Sequence, residues 1–215
     1  MEIEYLCECE STQTKLINDI KSLQKSPPCA IIADSQSFGI GSRANSWDSP
    51  RGNLYLSFAI DESDLPSDLA PASASIYFAF ILVLALRDKG SKIWLKWPND
   101  LYLANRKIAG IITTKINNIY ICGIGLNLTN CPNYADCLDI ELSRDDIVDL
   151  YFKSLSTKPK WKQIFSKYLV EFELSKSFSI HIDDKEVSLN NAKLENDGSI
   201  IINNKRVYSA RSVRL

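Results

Sequence analysis

The chain has 215 residues, 45% of them hydrophobic, with 25 basic and 26 acidic side chains for a formal net charge of −1. That is enough for one sizeable core and a small appendage, and it lacks the basic surplus that nucleic-acid binding relies on, so no nucleic-acid partner is expected. The opening MEIEYLCECE is acidic where a secretory signal is basic, and no apolar run follows it, which points to the cytoplasm.

Cys7, Cys9, Cys29, Cys122, Cys131 and Cys137 are scattered and accompany a single histidine, a pattern of reduced structural thiols rather than of disulfides or zinc. No residue set is assigned to a metal. His181 falls in an alternating segment remote from every motif and is given no chemistry.

In chain order, Ser11-Thr12-Gln13-Thr14 precedes Leu16, Ile17, Ile20 and Leu23 at helical spacing, so Ser11 can cap a helix of about three turns. Cys29 to Ala33 and Leu54 to Ile60 read as buried strands around a polar loop. In that loop Gly39, Gly41 and Gly52 let backbone approach a ligand, and Arg43 adds a guanidinium. Such a loop suits a phosphate, although GxG followed by Arg also occurs in plain turns. Leu69 to Leu86 is apolar enough to raise a membrane span. Pro71, Ser73 and Ser75 interrupt it, leaving about 11 strongly apolar residues, roughly 17 Å against a bilayer core of about 30 Å, so it reads as a buried helix.

Strands are expected near 92–97, 100–104, 107–115 and 118–128, with turns at Pro98-Asn99, Asn105-Arg106 and Asn117-Asn118. Ser143 caps a helix with Asp145 and Asp146 in its first turn. A further helix follows Pro159, with Trp161, Ile164, Phe165, Tyr168, Leu169 and Phe172 on one face. After Lys176 come the short strands FSIHID, EVSL, SIII and RVYSA, with turns at Asp183-Asp184, Asn196-Asp197-Gly198 and Asn203-Asn204. The expected class is therefore α/β (α+β), a mixed sheet with flanking helices over residues 1–175 and a small β-barrel over 176–215.

Four motifs stand in order between residues 34 and 128: the loop DSQSFGIGSRANSWDSPRGNLYLS, then KWPND at 96–100, RKIAGI at 106–111 and GIGLNL at 123–128. Together they resemble the biotin protein ligases. The resemblance implies a catalytic domain like that of class II aminoacyl-tRNA synthetases and a Src-homology-3-like C-terminal barrel. The resemblance extends more thinly to the opening Glu10-Ser11-Thr12-Gln13-Thr14, and with that motif already at residue 11 it is to the monofunctional type without a DNA-binding domain.

The resemblance implies a reaction in two halves. Biotin is activated with ATP and Mg²⁺ as biotinyl-5'-AMP and is then transferred to a lysine of the biotin carboxyl carrier protein of acetyl-CoA carboxylase. It assigns Lys107 to the biotin carboxylate and mixed anhydride, Asp100 to deprotonation of the incoming lysine and placement of Mg²⁺, and Arg43 to the phosphate. Ser11, Thr12, Gln13, Gln36, Gly39, Ile40, Gly41, Ser42 and Gly110 join Lys107 as biotin contacts. Trp47, Asn99 and Asn127 join Arg43 on the adenylate. Gly123 and Gly125 admit close backbone approach.

Two departures fall near the phosphate. The family commonly writes G-R-G-R-R-G-R where this chain has Gly39 to Asn45, leaving one arginine, and the adenine-stacking aromatic is matched only by position, at Tyr134. A lipoate or octanoate ligase of the same fold is the nearest other enzyme. A non-catalytic binder of a small molecule or carrier is the other reading. No membrane partner is expected, and a homodimer is compatible with the sequence.

Overall fold

The computed structural model describes residues 1–42, 45–182, 185–208 and the backbone of 211–212. Seven strands form the main sheet: β1 (Glu2–Leu6), β2 (Cys29–Ala33), β3 (Leu54–Asp61), β4 (Trp94–Lys96), β5 (Asp100–Leu103), β6 (Arg106–Ile116) and β7 (Ile119–Leu126). Their order is β1-β2-β3-β7-β6-β5-β4, with β1 and β2 parallel and the other neighbours antiparallel. β1 was not foreseen: EIEYL is short, carries two glutamates and buries none of its residues fully.

The sheet is covered on both faces, which is why β2 and β3 are apolar without alternation. Cys29 and Ile31 face α1 (Thr12–Lys21) and pack with Leu16, Ile20, Ala59 and Ile121. Ala30, Ile32, Leu56 and Phe58 lie in the larger core with α2 (Ala74–Asp88), α3 (Arg144–Ser156) and α4 (Trp161–Ser175). The long apolar run is thus spent on the protein's own core: Tyr77, Phe78, Ala79, Val83 and Leu86 of α2 are fully buried. This helix starts at Ala74, after a 3₁₀ turn at Pro71–Ser73, and not at Leu69.

Two local expectations shift. Ser22 ends α1, so Leu23 leaves the apolar face with φ 61° and is 89% exposed. The β5–β6 turn is Ala104-Asn105, one residue earlier than expected, and Ala104 takes φ 49°.

Beyond α4, β8 (Ser179–Ile182), β9 (Lys185–Ser188) and β13 (Arg211–Ser212) form one small sheet, and β10 (Lys193–Leu194), β11 (Ile200–Ile202) and β12 (Lys205–Val207) another. The Asp183-Asp184 turn and the Ser209-Ala210 end of RVYSA lie outside the described residues. Ile180, Leu189, Ala192, Ile200 and Ile202 share the large core with α2 and α4. Two indoles hold the 196–198 turn: Trp161 Nε1 donates to Asn196 O and Trp97 Nε1 to Gly198 O, both at 2.8 Å.

Candidate active site

The site begins at the start of α1. Ser11 Oγ accepts from the Thr14 N–H at 3.3 Å, the capping role read from sequence. The Thr12 N–H donates to Gln36 Oε1 at 2.8 Å, and Thr12 Oγ1 donates to the same oxygen at 3.1 Å while lying 2.9 Å from Ser57 Oγ. A hydroxyl has one proton, so Ser57 is the donor in the second contact. Gln36 Nε2 donates to Ser49 Oγ at 2.9 Å, and Ser49 Oγ donates to Trp47 O at 3.0 Å. One chain of side chains therefore ties the α1 cap to both ends of the glycine loop.

Gly39 sits inside this chain, where a Cβ would collide with Trp47 O and Ser49 Oγ. The loop folds back on itself: the Trp47 N–H donates to Gly39 O and the Gly41 N–H to Asn45 O, each at 2.7 Å. Arg43 and Ala44 lie outside the described residues. Behind the loop, Asn53 Oδ1 accepts from the Leu128 N–H at 2.9 Å and from the Thr129 and Asn130 N–H groups at 3.2 Å.

On the wall of β6 and β7, three glycines make room for side chains. A Cβ at Gly123 would come 2.7 Å from Gln13 Oε1, and one at Gly125 would come 2.6 Å from the Trp47 indole. At Gly110 it would meet Trp47 Cζ3 at 3.2 Å and Lys107 Nζ at 3.4 Å. Gln13 Nε2 donates to Ile121 O at 3.3 Å, whereas its buried Oε1 has no hydrogen-bond partner among the described residues, nor has Trp47 Nε1. Lys107 Nζ stands 5.3 Å from the Trp47 ring centroid, within cation–π range.

Lys107 and Gly110 differ in parity, so plain alternation would put them on opposite faces of β6. The β5–β6 register breaks between Leu101 and Tyr102: Asp100 pairs with Gly110 and Leu101 with Ala109, but Tyr102 pairs with Lys107. The extra residue, Ile108, is wholly buried in the core, and the bulge turns Lys107 to the side of Asp100 and Gly110. Lys107 Nζ then lies 2.6 Å from Asp100 Oδ1, a pair in which the acid is almost fully buried and the lysine partly exposed.

A second lysine belongs to this corner. Lys96, wholly buried, is the Cα partner of Asp100 across β4–β5, and its Nζ lies 5.5 Å and 5.3 Å from the ring centroids of Tyr102 and Phe178. Burial pulls its ammonium down to about 8, with Asp100 opposing the shift and Lys107 adding to it.

A small cavity of about 40 Å³ is lined by Ser11, Thr12, Gln13, Gln36, Ser57 and Asn99 as polar groups and by Ile111, Ile112 and Ile124 as an apolar wall. Ile40, Gly41, Ser42, Trp47, Asp100, Lys107, Gly110, Gly123 and Gly125 complete it. Such a space, as it stands, holds water and little more.

Of the residues picked from sequence, Gly39 is packed against the Gln36–Ser49 contact and does not line the cavity, and Asn127 holds a neighbouring loop through Nδ2 to Asp136 O at 3.1 Å. Asn99 lines the cavity and donates from Nδ2 to Ile111 O at 2.5 Å. Tyr134 is half exposed on the loop whose Ala135 bridges to Lys107. Ser49, Ser57 and Lys96 are the residues that sequence reasoning did not single out. Ser57 carries a signal, a lone polar side chain within the apolar run LYLSFAI, whereas Lys96, at the end of β4, carries none. Chemically, the corner joins an exchangeable ammonium–carboxylate pair to a pocket with an unsatisfied acceptor and a greasy wall.

A solved structure from Helicobacter pylori, a biotin acetyl coenzyme A carboxylase synthetase with bound biotinylated ATP, superposes with TM-score 0.92 at 39% identity, covering 98% of this chain and 99% of that one. The Aquifex aeolicus biotin protein ligase in complex with biotin and ATP gives TM-score 0.77 at 21% identity over 98% and 97% of the two chains, a likeness of fold. The Escherichia coli bifunctional ligase/repressor BirA is 36% identical over 126 residues, 55% of this chain and 38% of BirA, so the chain spans well under half of that relative's length. The sequence model of the Biotin/lipoate A/B protein ligase family matches residues 5–128, more than half of the chain. The chain belongs to the biotin/lipoate A/B protein ligase family.

Proposed function

We propose that this chain is an ATP-dependent biotin protein ligase, which joins biotin to AMP and then passes the biotinyl group to a lysine of a carrier protein. The observation that carries this reading is the cavity itself: the apolar Ile111–Ile112–Ile124 wall and Gln13 Oε1, unpartnered among the described residues, lie in one space with the Lys107–Asp100 pair. A ureido N–H satisfies a buried acceptor, an apolar wall suits a fused ring and short alkyl chain, and an ammonium meets the carboxylate at the chain's end.

In the first half-reaction a biotin carboxylate oxygen attacks the α-phosphorus of ATP and pyrophosphate leaves. Charge grows on the phosphoryl oxygens, and Lys107 is assigned to offset it. In the second, a carrier lysine loses a proton to Asp100, its amine attacks the acyl carbon, and AMP leaves with the bonding electrons. Arg43 adds a loop cation toward the phosphate on the strength of the sequence motif alone.

Mg²⁺ fits as a companion of the nucleotide. Among the described residues no three carboxylate, thiol or imidazole groups cluster, and the carboxylate on the cavity wall is Asp100. One carboxylate plus phosphate oxygens is a usual Mg²⁺ arrangement, and the bound ion would neutralise phosphate charge. The carrier is assigned as the biotin carboxyl carrier protein of acetyl-CoA carboxylase, in the cytoplasm. Lining residues all fall between 11 and 125, consistent with chemistry confined to residues 1–175.

The test is pyrophosphate exchange into ATP with biotin, lipoate and octanoate offered separately. Exchange with biotin alone is the expected result. Equal exchange with octanoate would overturn the choice of acid, and none with any acid would favour a binder.

A further inference from the structure

Lys107 is asked to be in two places. In this structure its Nζ lies 2.6 Å from Asp100 Oδ1, yet on the ligase reading it must turn to the substrate carboxylate and then to the acyl phosphate. Asp100 is almost fully buried, and a buried carboxylate that loses a counter-ion is strongly disfavoured. If nothing offset it, Asp100 would hold Lys107 back.

We infer that Lys96 is the positioning residue that stays with Asp100 when Lys107 moves to the substrate. It is a Cα partner of Asp100 across the β4–β5 pair, and directly paired residues present their side chains on one face. It is wholly buried and is not among the residues that line the cavity. Its ammonium lies over the Tyr102 and Phe178 rings, 5.5 Å and 5.3 Å from their centroids, within cation–π range. The two lysines thus divide the work: Lys107, partly exposed, is exchangeable, and Lys96 is resident. The inference rests on the ligase reading above and deepens it.

The experiment is a double-mutant cycle read by biotin-dependent pyrophosphate exchange, with a melting curve for every variant. Lys96→Met should lower exchange by about tenfold or more in a folded protein. In an Asp100→Asn background the same change should lower it by less than about threefold, because the carboxylate it serves is gone. A purely structural lysine would give equal losses in both backgrounds. That result, or a Lys96→Met enzyme within about threefold of wild type, overturns the inference. Should Lys96→Met fail to fold, Lys96→Gln makes the same comparison. A wild-type protein without biotin-dependent exchange would overturn the ligase reading itself, and the inference with it.

Discussion

The Trp47 indole packs so tightly on the backbone of Gly125 that a methyl group added there would lie 2.6 Å from the ring. Gly125→Ala must therefore displace Trp47 from the cavity wall. Overpacking of this kind costs about 1–3 kcal/mol, and exchange at low biotin should fall by about tenfold as the loop loses its seat. Unchanged exchange would mean that the indole position does not matter to the ligand.

Lys107→Ala removes the exchangeable cation. Adenylate formation should fall by about 10²- to 10³-fold, the usual loss for one charge-stabilising donor. The protein should also melt earlier, since Asp100 stays buried with one cation fewer, and Asp100→Asn added to it should recover stability but not activity. A loss below about threefold would return Lys107 to an ordinary surface role.

Asp100→Asn separates the two halves. Transfer from preformed biotinyl-adenylate to the carrier should slow by about 10²-fold or more, while exchange falls less. Single-turnover transfer at the wild-type rate with failed adenylation would instead put Asp100 on the nucleotide side.

Lys96 predicts a pH dependence of stability with a definite sign. Its ammonium falls from 10.5 to about 8 on folding, chiefly through burial. Between those values the unfolded chain holds a proton that the folded one has lost, so this group raises stability as pH climbs from about 8 to 10.5. Below about 8 the penalty is constant. Lys96→Met lacks this titration, so the difference in melting between the variant and wild type should shift in favour of wild type as pH rises from 7 to 10. A gap that is the same at both values would contradict the assignment.

Much of this was legible because it is carried by local pattern. Ser11 caps a helix, the motif glycines and Trp47 share one wall, and the long apolar run lies in the core. What sequence hid depends on register. Nothing in RKIAGI says that Ile108 is an inserted residue, yet that bulge is what places Lys107 beside Asp100. Lys96 looks like an ordinary lysine until its strand is seen to be covered by Phe178, from a segment 82 residues later. Leu23 misled for the opposite reason: it continues the periodicity of α1 after the backbone has left the helix.

The bond from Trp97 Nε1 to Gly198 O spans 101 residues of sequence and joins the KWPND segment to the C-terminal sheets. A ribosome therefore delivers Trp97 long before it delivers the carbonyl that receives its indole proton. Through that interval the nascent chain carries Lys96 without Phe178 above it and a core without Ile200 and Ile202. Biosynthesis finishes the corner of Lys96 and Asp100 late, and truncations before the 196–198 turn should yield chains that chaperones and proteases treat as incomplete.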